Sequence, residues 1–421
     1  MPGISITAGA TWAIAAIATA GVIARPWRLP EATWAVLGAA SLVALALVPW
    51  REALSALGRG TDVYLFLAGM MLLAELARQQ GVFDWLAGLV ARQARGSADR
   101  LFALVFGVGT MVTAFLSNDA TAIVLAPAVY AAARAAKAEP LPYLLACAFS
   151  ANAASFVLPI SNPANLVVFG SHMPALPSWL AQFAVPSLLS IGATYLVLRL
   201  TQRASLRQAT AEQVDVPILS RAGRLTVCGI GAAAVILLAA SAFGIRLGLP
   251  TLLAGALTTC VVLLHQRRAP WDLVKGISWS VLPLVAGLFV MVEGLAHTGV
   301  IAHLSQTLQA AALKSTAATI WVGGGIVAVA CNLMNNLPVG LIAGSAVATA
   351  SVPPQVTGAL LIGVDLGPNL SVTGSLATIL WLVALRREGQ DVSAWKFLQL
   401  GAVVTAPALL LALTSFVLVH L

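Results

Sequence analysis

Charge is what this sequence has least of. Only 9% of its residues are Asp, Glu, Lys or Arg, against roughly 25% in a soluble domain. The deficit runs along nearly the whole chain as apolar stretches parted by short polar loops, and 60% of the residues are hydrophobic. An ordinary soluble domain is excluded. An outer-membrane barrel is excluded as well, because its strands alternate and are far less hydrophobic. The remaining class is an all-α polytopic membrane protein. Cysteine is scarce: Cys147, Cys228, Cys260 and Cys331 stand in apolar segments without close pairing, so there is no disulfide framework and no metal-ligand spacing. A GxxxxGK[ST] loop is missing, which removes a Walker-type ATPase carried by the chain itself. No nucleophile–base pair marks an enzyme, and no cofactor motif is present. No basic stretch precedes the first apolar run, which reads as a retained helix and not a cleaved signal. The net charge of +8 sits in loops between apolar segments. That pattern orients a chain in a bilayer and does not indicate nucleic acid.

What is present is a repeat. "FLAGMMLLAELARQQGVFDWL" (Phe66–Leu86) aligns with "LVAGLFVMVEGLAHTGVIAHL" (Leu284–Leu304), matching Gly69 to Gly287, Glu75 to Glu293 and Gly81 to Gly299, each 218 positions apart. "LSNDAT" (Leu116–Thr121) matches "LMNNLP" (Leu333–Pro338) at an offset of 217. "SANAASFVLPISNPAN" (Ser150–Asn165) matches "GVDLGPNLSVTGSLAT" (Gly363–Thr378) more loosely. The chain therefore divides into residues 1–210, a linker over 211–223, and residues 224–421.

In the first copy the apolar runs predict helices at Ile4–Ala24, Glu31–Trp50, Asp62–Arg78, Leu141–Ser171 and Trp179–Leu200. Between the third and fourth lies a pair of short arms, Leu101–Leu116 and Ala120–Ala133, joined by Ser117-Asn118-Asp119. A span needs ~20 residues to cross ~30 Å of hydrocarbon. Arms of this length fit a re-entrant hairpin over 101–135, mated by one over 316–350. Five crossings per copy make the second copy inverted. Only Arg51, Arg59, Arg246 and Lys314 of the 23 basic residues then fall on the side of the termini; the other 19 fall opposite. The positive-inside rule makes that opposite side cytoplasmic and puts both termini outside. The prediction is about ten spanning helices, two re-entrant hairpins and two broken helices (141–172 and 355–385), in a cell inner membrane.

Inverted repeats with broken helices are a transporter architecture with its site at the midplane. Four polar discontinuities mark that site: the tips Ser117-Asn118-Asp119 and Asn335-Asn336, and the breaks "LPISNPAN" (Leu158–Asn165) and "DLGPNLSVTGS" (Asp365–Ser375). Helix N-termini restarting there favour an anion or a polar neutral solute, and freed carbonyls suit a cation. The candidate substrate-binding residues are Ser117, Asn118, Asp119, Asn162, Asn335, Asn336, Asp365, Thr373 and Ser375. Ser117 and Asn118 can equally cap the next half-helix, and Asn can join helices by hydrogen bonds; mated tips beside mated breaks favour function. Charge inside a bilayer is costly and commonly functional, so Asp119 and Asp365 are candidates for proton coupling. Glu75 and Glu293, mates within helices, are either part of a proton route or a structural hydrogen-bonded pair. Cys147 and Cys331 near the breaks read as small hydrophobes more readily than as soft-ion ligands.

"SNDATAIVLAPAV" (Ser117–Val129), "MNNLPVGLIAG" (Met334–Gly344) and "DLGPNLSVTGSLATILWL" (Asp365–Leu382) resemble the signature segments of the arsenite-efflux permeases. These form the arsenical pump membrane protein family, within the ion transporter superfamily. The resemblance covers nearly the full chain in order and repeat layout. It implies export of trivalent arsenic, and of antimony, as neutral hydroxides in exchange for protons. It also implies hairpins that hold the substrate and an elevator-like movement of the body that carries them. Some members work with a separate cytosolic arsenite-stimulated ATPase. Under the resemblance Asn118 and Asp119 form the Asn-Asp tip, Asn335 and Asn336 the Asn-Asn tip, and Asp365 opens the second break. A neutral trihydroxide wants donors and acceptors, which the Asn-rich tips supply. No Lys or Arg lies in any break. The competing readings are a sodium/proton antiporter or an anion carrier of the same superfamily, and, from other classes, a channel or a membrane enzyme subunit.

Overall fold

The computed structural model describes residues 6–387 and 389–420. Ile4 and Ser5 of the predicted first helix, with residues 1–3, 388 and 421 of the predicted halves, lie outside the described residues. Twenty α-helices and no strand occur among the described residues. The helices run in two series of ten. The first is α1 (Ile6–Ala24), α2 (Glu31–Ala44), α3 (Trp50–Arg59), α4 (Thr61–Gln79), α5 (Val82–Gln93), α6 (Ala98–Phe115), α7 (Ala126–Ala135), α8 (Leu141–Ala153), α9 (Pro163–Phe169) and α10 (Leu176–Thr201). The second is α11 (Arg221–Ala242), α12 (Gly248–Gln266), α13 (Trp271–Gly276), α14 (Val281–His297), α15 (Val300–Lys314), α16 (Thr316–Met334), α17 (Asn336–Thr349), α18 (Pro354–Leu366), α19 (Leu376–Arg387) and α20 (Ala394–His420). The chain is an all-helical, multi-pass membrane protein.

Seven of the described helices (α1, α6, α10, α11, α12, α16 and α20) are long and apolar enough to cross a bilayer. Two further spans are possible as bent pairs, α3 with α4 at 48° and α14 with α15 at 76°. α2 is shorter than the predicted Glu31–Trp50. It ends at Ala44 because Ala46 turns left-handed (φ 53°) and the Leu47 and Val48 amides fold back onto the Leu42 carbonyl. Pro49 then starts α3, an amphipathic helix that hydrophobicity alone hides. α6 begins earlier than the predicted arm, at Ala98, because the Ser97 hydroxyl caps it by accepting from Arg100 N at 3.2 Å. Its 18 residues meet the length of a span, so length alone does not separate a re-entrant arm from a crossing one.

The helices sort into two packed groups. In one, α4 lies along α12 and α2 along α14, with α1 beside α2 and α11 beside α12. Glycine sets these approaches. A Cβ on Gly69 would collide with the Thr251 carbonyl, and one on Gly287 would come within 2.7 Å of the Ala35 backbone. In the other group α10 packs along α20, α6 along α8, α16 along α18, and α9 against α17. Its interior is aromatic: Trp179 and Phe183 lie 4.5 Å apart and Phe183 stacks on Phe416 at 5.6 Å. The indoles of Trp179 and Trp381 donate to the Phe156 and Leu144 carbonyls. α5 and α15 connect the groups. Each leaves its predecessor through a glycine in the left-handed region, Gly81 (φ 70°) and Gly299 (φ 82°), with no crowding at either. Conformation, not space, requires glycine there.

Candidate functional site

The first tip follows α6. The Ser117 hydroxyl accepts from Ala120 N at 3.1 Å and so caps the restarting helix. The Asn118 side chain accepts from Asp119 N at 2.9 Å. Residues Ala120–Leu125 then form a π-helical turn before α7, a wide turn common at functional sites. The two arms are pinned together by Thr113 and Thr121, whose hydroxyls lie 2.8 Å apart. At the second tip Asn335 has φ 75° and ψ 153°, a backbone region that is nearly glycine-only and costs about 1–3 kcal/mol. Its side chain accepts from Leu337 N at 3.3 Å.

Each tip is tied by its backbone to one break. Asn118 N donates to the Ser161 carbonyl at 3.1 Å, and Asn336 N donates to the Gly374 carbonyl at 2.9 Å. The breaks are tied to each other by side chains. Asn162 Nδ2 donates to Asp365 Oδ1 at 2.8 Å, and Asn152 Nδ2 donates to Asn369 Oδ1 at 3.0 Å. Asn369 in turn donates to the Phe149 carbonyl at 3.1 Å. Breaking a helix frees carbonyls that must find donors. Asn165 supplies them, donating to the carbonyls of Ser155 at 3.0 Å and Leu158 at 3.2 Å. Asn162 caps α9 by accepting from Ala164 N, and Ser375 caps α19 by accepting from Thr378 N.

The four discontinuities thus form one connected polar centre, with unequal access. A cavity of 750 Å³ opens on the first tip, lined by Ser117, Asp119 and Pro163, and by Glu75, Arg78 and Ser278. The Asp119 side chain faces this space. The second tip is closed over: the hollow beside Asn335 is 10 Å³, walled by Glu31, Leu284 and Leu288. Asp365 is fully buried, and its Oδ2 has no hydrogen-bond partner among the described residues.

Glu75 and Glu293 sit near the ends of α4 and α14, Glu75 in the wall of the cavity that opens on the first tip. Glu75 accepts from Arg78 Nε at 2.7 Å and Nη2 at 2.6 Å, and from Gln79 at 2.7 Å. Glu293 pairs with Arg59, and His297 bridges from it at 3.8 Å to Glu52 at 2.6 Å. Thr373 and Ser375 are already bonded, Thr373 across to the Asn332 carbonyl before the second tip at 2.9 Å and Ser375 locally to Thr378 at 2.8 Å. Sequence reasoning passed over Asn152, Asn165, Asn332 and Asn369. For Asn152 and Asn165 the available signal was the repeat itself, which sets them opposite Asp365 and Thr378; Asn332 and Asn369 fall opposite phenylalanines and carry no such signal.

The profile of the citrate transporter family, CitMHS, matches residues 14–368. The chain belongs to this family. Among curated relatives it is 27% identical over 369 residues to the arsenical pump membrane protein of Yersinia enterocolitica, covering 83% of this chain and 84% of that one. It is 27% identical over 416 residues to an uncharacterized transporter of Mycobacterium tuberculosis, covering 93% and 96%. The resemblance to arsenical pump membrane proteins read from the tips and the second break is borne out by these matches. In three dimensions this CitMHS member resembles the YdaH transporter of Alcanivorax borkumensis, with a TM-score of 0.59 at 14% identity over 87% of each chain. That likeness is one of fold. A membrane transporter is the function class these matches support.

Proposed function

We propose that this chain is a secondary transporter that exports arsenite, and antimonite, from the cytoplasm in exchange for protons. The observation that carries the reading is the Asp119 carboxylate. It stands at a hairpin tip facing a 750 Å³ cavity whose one basic lining residue, Arg78, is already held by Glu75. Such a site offers donors and acceptors, the carboxylates of Asp119 and Asp84 beside the paired Glu75, and no spare cation. A neutral trihydroxide suits it. Citrate and other polyanions need unpaired Arg or Lys, and the anion-carrier reading is weaker for that reason. The names of the arsenical pump relatives support an arsenical as the substrate.

Asp119, reached from the cavity, exchanges the proton. Asp365, enclosed between the breaks, joins the coupling through Asn162. Ser117, Asn118, Asn335 and Asn336 hold the substrate. Glu75 and Glu293, each engaged with basic partners, serve the scaffold. The two series of helices are inverted repeats, divided at 211–223, with hairpins that enter from opposite faces of an inner membrane. The cavity then opens toward the arginine-rich cytoplasmic face, and both termini lie outside. Transport follows movement of the hairpin-bearing group against the other, with α5 and α15 as arms turning at Gly81 and Gly299.

The test is uptake of arsenite into everted vesicles, and into proteoliposomes holding this chain alone. An acid lumen should drive accumulation without any cytosolic ATPase. Accumulation that requires a sodium gradient, or none above empty vesicles, would overturn the reading. Downhill flux alone would point to a channel.

A further inference from the structure

The two tips are held in different ways. Asn332, one turn before the second tip, is the centre of a closed ring of bonds. Its Nδ2 donates to the Ala328 carbonyl at 2.8 Å and to the Gly367 carbonyl at 3.0 Å. Its Oδ1 accepts from the Ser371 hydroxyl at 2.7 Å. Its own carbonyl accepts from the Thr373 hydroxyl at 2.9 Å, and those two hydroxyls lie 3.0 Å apart. The ring closes on the tip through Asn336 N and the Gly374 carbonyl at 2.9 Å.

At the first tip the repeat puts Phe115 in the place of Asn332, and Leu158 and Ile160 in the places of Ser371 and Thr373. None of these can make such bonds. One side-chain bond spans the corresponding gap, from the Ser161 hydroxyl to the Ala114 carbonyl at 3.1 Å. The strained backbone also belongs to the second tip alone, at Asn335. A residue in that region persists only where its surroundings over-determine it, and the Asn332 ring does so.

We propose that Asn332, with Ser371 and Thr373, is a positioning residue that locks the second tip onto the second break. The second half-site is thereby preformed, and the first tip is the one that adjusts to substrate. This rests on the transport reading above for its kinetic consequence, though not for the lock. A preformed half-site lowers the cost of binding, so its loss appears in KM before it appears in the maximal rate.

The experiment compares wild type with Asn332→Ala, Ser371→Ala and Thr373→Val in lipid nanodiscs and proteoliposomes. Hydrogen exchange of the 333–338 backbone should be about tenfold faster in Asn332→Ala, with 116–121 unchanged. KM for arsenite should rise about fivefold to tenfold, as for one or two lost buried hydrogen bonds, with the maximal rate within about twofold. The two hydroxyl variants should shift both readouts in the same direction by less, and they carry the test if Asn332→Ala does not fold. Unchanged exchange at the second tip, or a fall in maximal rate at constant KM, overturns the proposal. Faster exchange at 333–338 in a chain whose wild type moves no arsenite would support the lock and overturn the substrate instead.

Discussion

Asn162 donates to Asp365 at 2.8 Å across 203 positions of sequence. The bond joins the two broken helices where neither side chain meets water, and it leaves Asp365 Oδ2 without a partner. Asp365→Asn preserves an acceptor for Asn162 and removes the ionisable group. It should fold with a thermal midpoint near that of wild type and lose proton-driven transport. Asp365→Leu strands the Asn162 amide in an apolar interior and should cost about 1–3 kcal/mol, read as a lower melting temperature in detergent. Equal melting of the two variants would remove the bond from the account.

Asp119 makes a sharper prediction because it faces open space. The Asp119 carboxylate accepts no hydrogen bond from a described residue, and the bond its backbone N donates to Asn118 Oδ1 does not depend on the side chain, so Asp119→Asn should leave stability unchanged. Everted vesicles with an acid lumen should accumulate arsenite with wild type and fail to do so with the variant. Reversing the gradient should reverse the wild-type flux. A variant that still concentrates arsenite against its gradient would assign the proton elsewhere.

The positions of the tips were legible because a polar triplet inside an apolar run has few structural uses and the repeat supplies a mate for each. The breaks were legible from proline, glycine and asparagine in segments too long for one straight helix. Which side chains meet was not. Asn152 and Asn369 lie 217 positions apart, and a contact between repeats depends on packing that no local pattern records. α3, α5, α13 and α15 escaped notice because hydrophobicity averages do not register short amphipathic helices. Asn332 escaped because, from sequence, it is one more polar residue next to a tip.

Glu75 holds Arg78, the one basic residue of the large cavity. Glu75→Gln should free the guanidinium toward that space, where Asp84 and Asp119 remain as the acidic lining, and make the cavity more attractive to carboxylates than in wild type. Citrate should then inhibit arsenite transport at roughly tenfold lower concentration than in wild type, the factor that a charged hydrogen bond to Arg commonly supplies. Competition assays in vesicles measure this directly. Equal citrate sensitivity in both proteins would mean that Arg78 does not see the substrate path.

Close helix approach gives the last prediction. Gly69 faces the Thr251 backbone and Gly287 faces that of Ala35, so a methyl at either meets main chain that cannot rotate away. Gly69→Ala and Gly287→Ala should each destabilise by about 1–3 kcal/mol through overpacking, lowering the melting temperature. Gly192, in α10, has open space at the same position, and a helical Gly→Ala there should be neutral or stabilising by up to about 1 kcal/mol. The contrast isolates packing from propensity, because all three glycines are helical and undergo the same substitution. If Gly69→Ala melts like Gly192→Ala, then α4 and α12 are not in the close contact that joins one series of helices to the other.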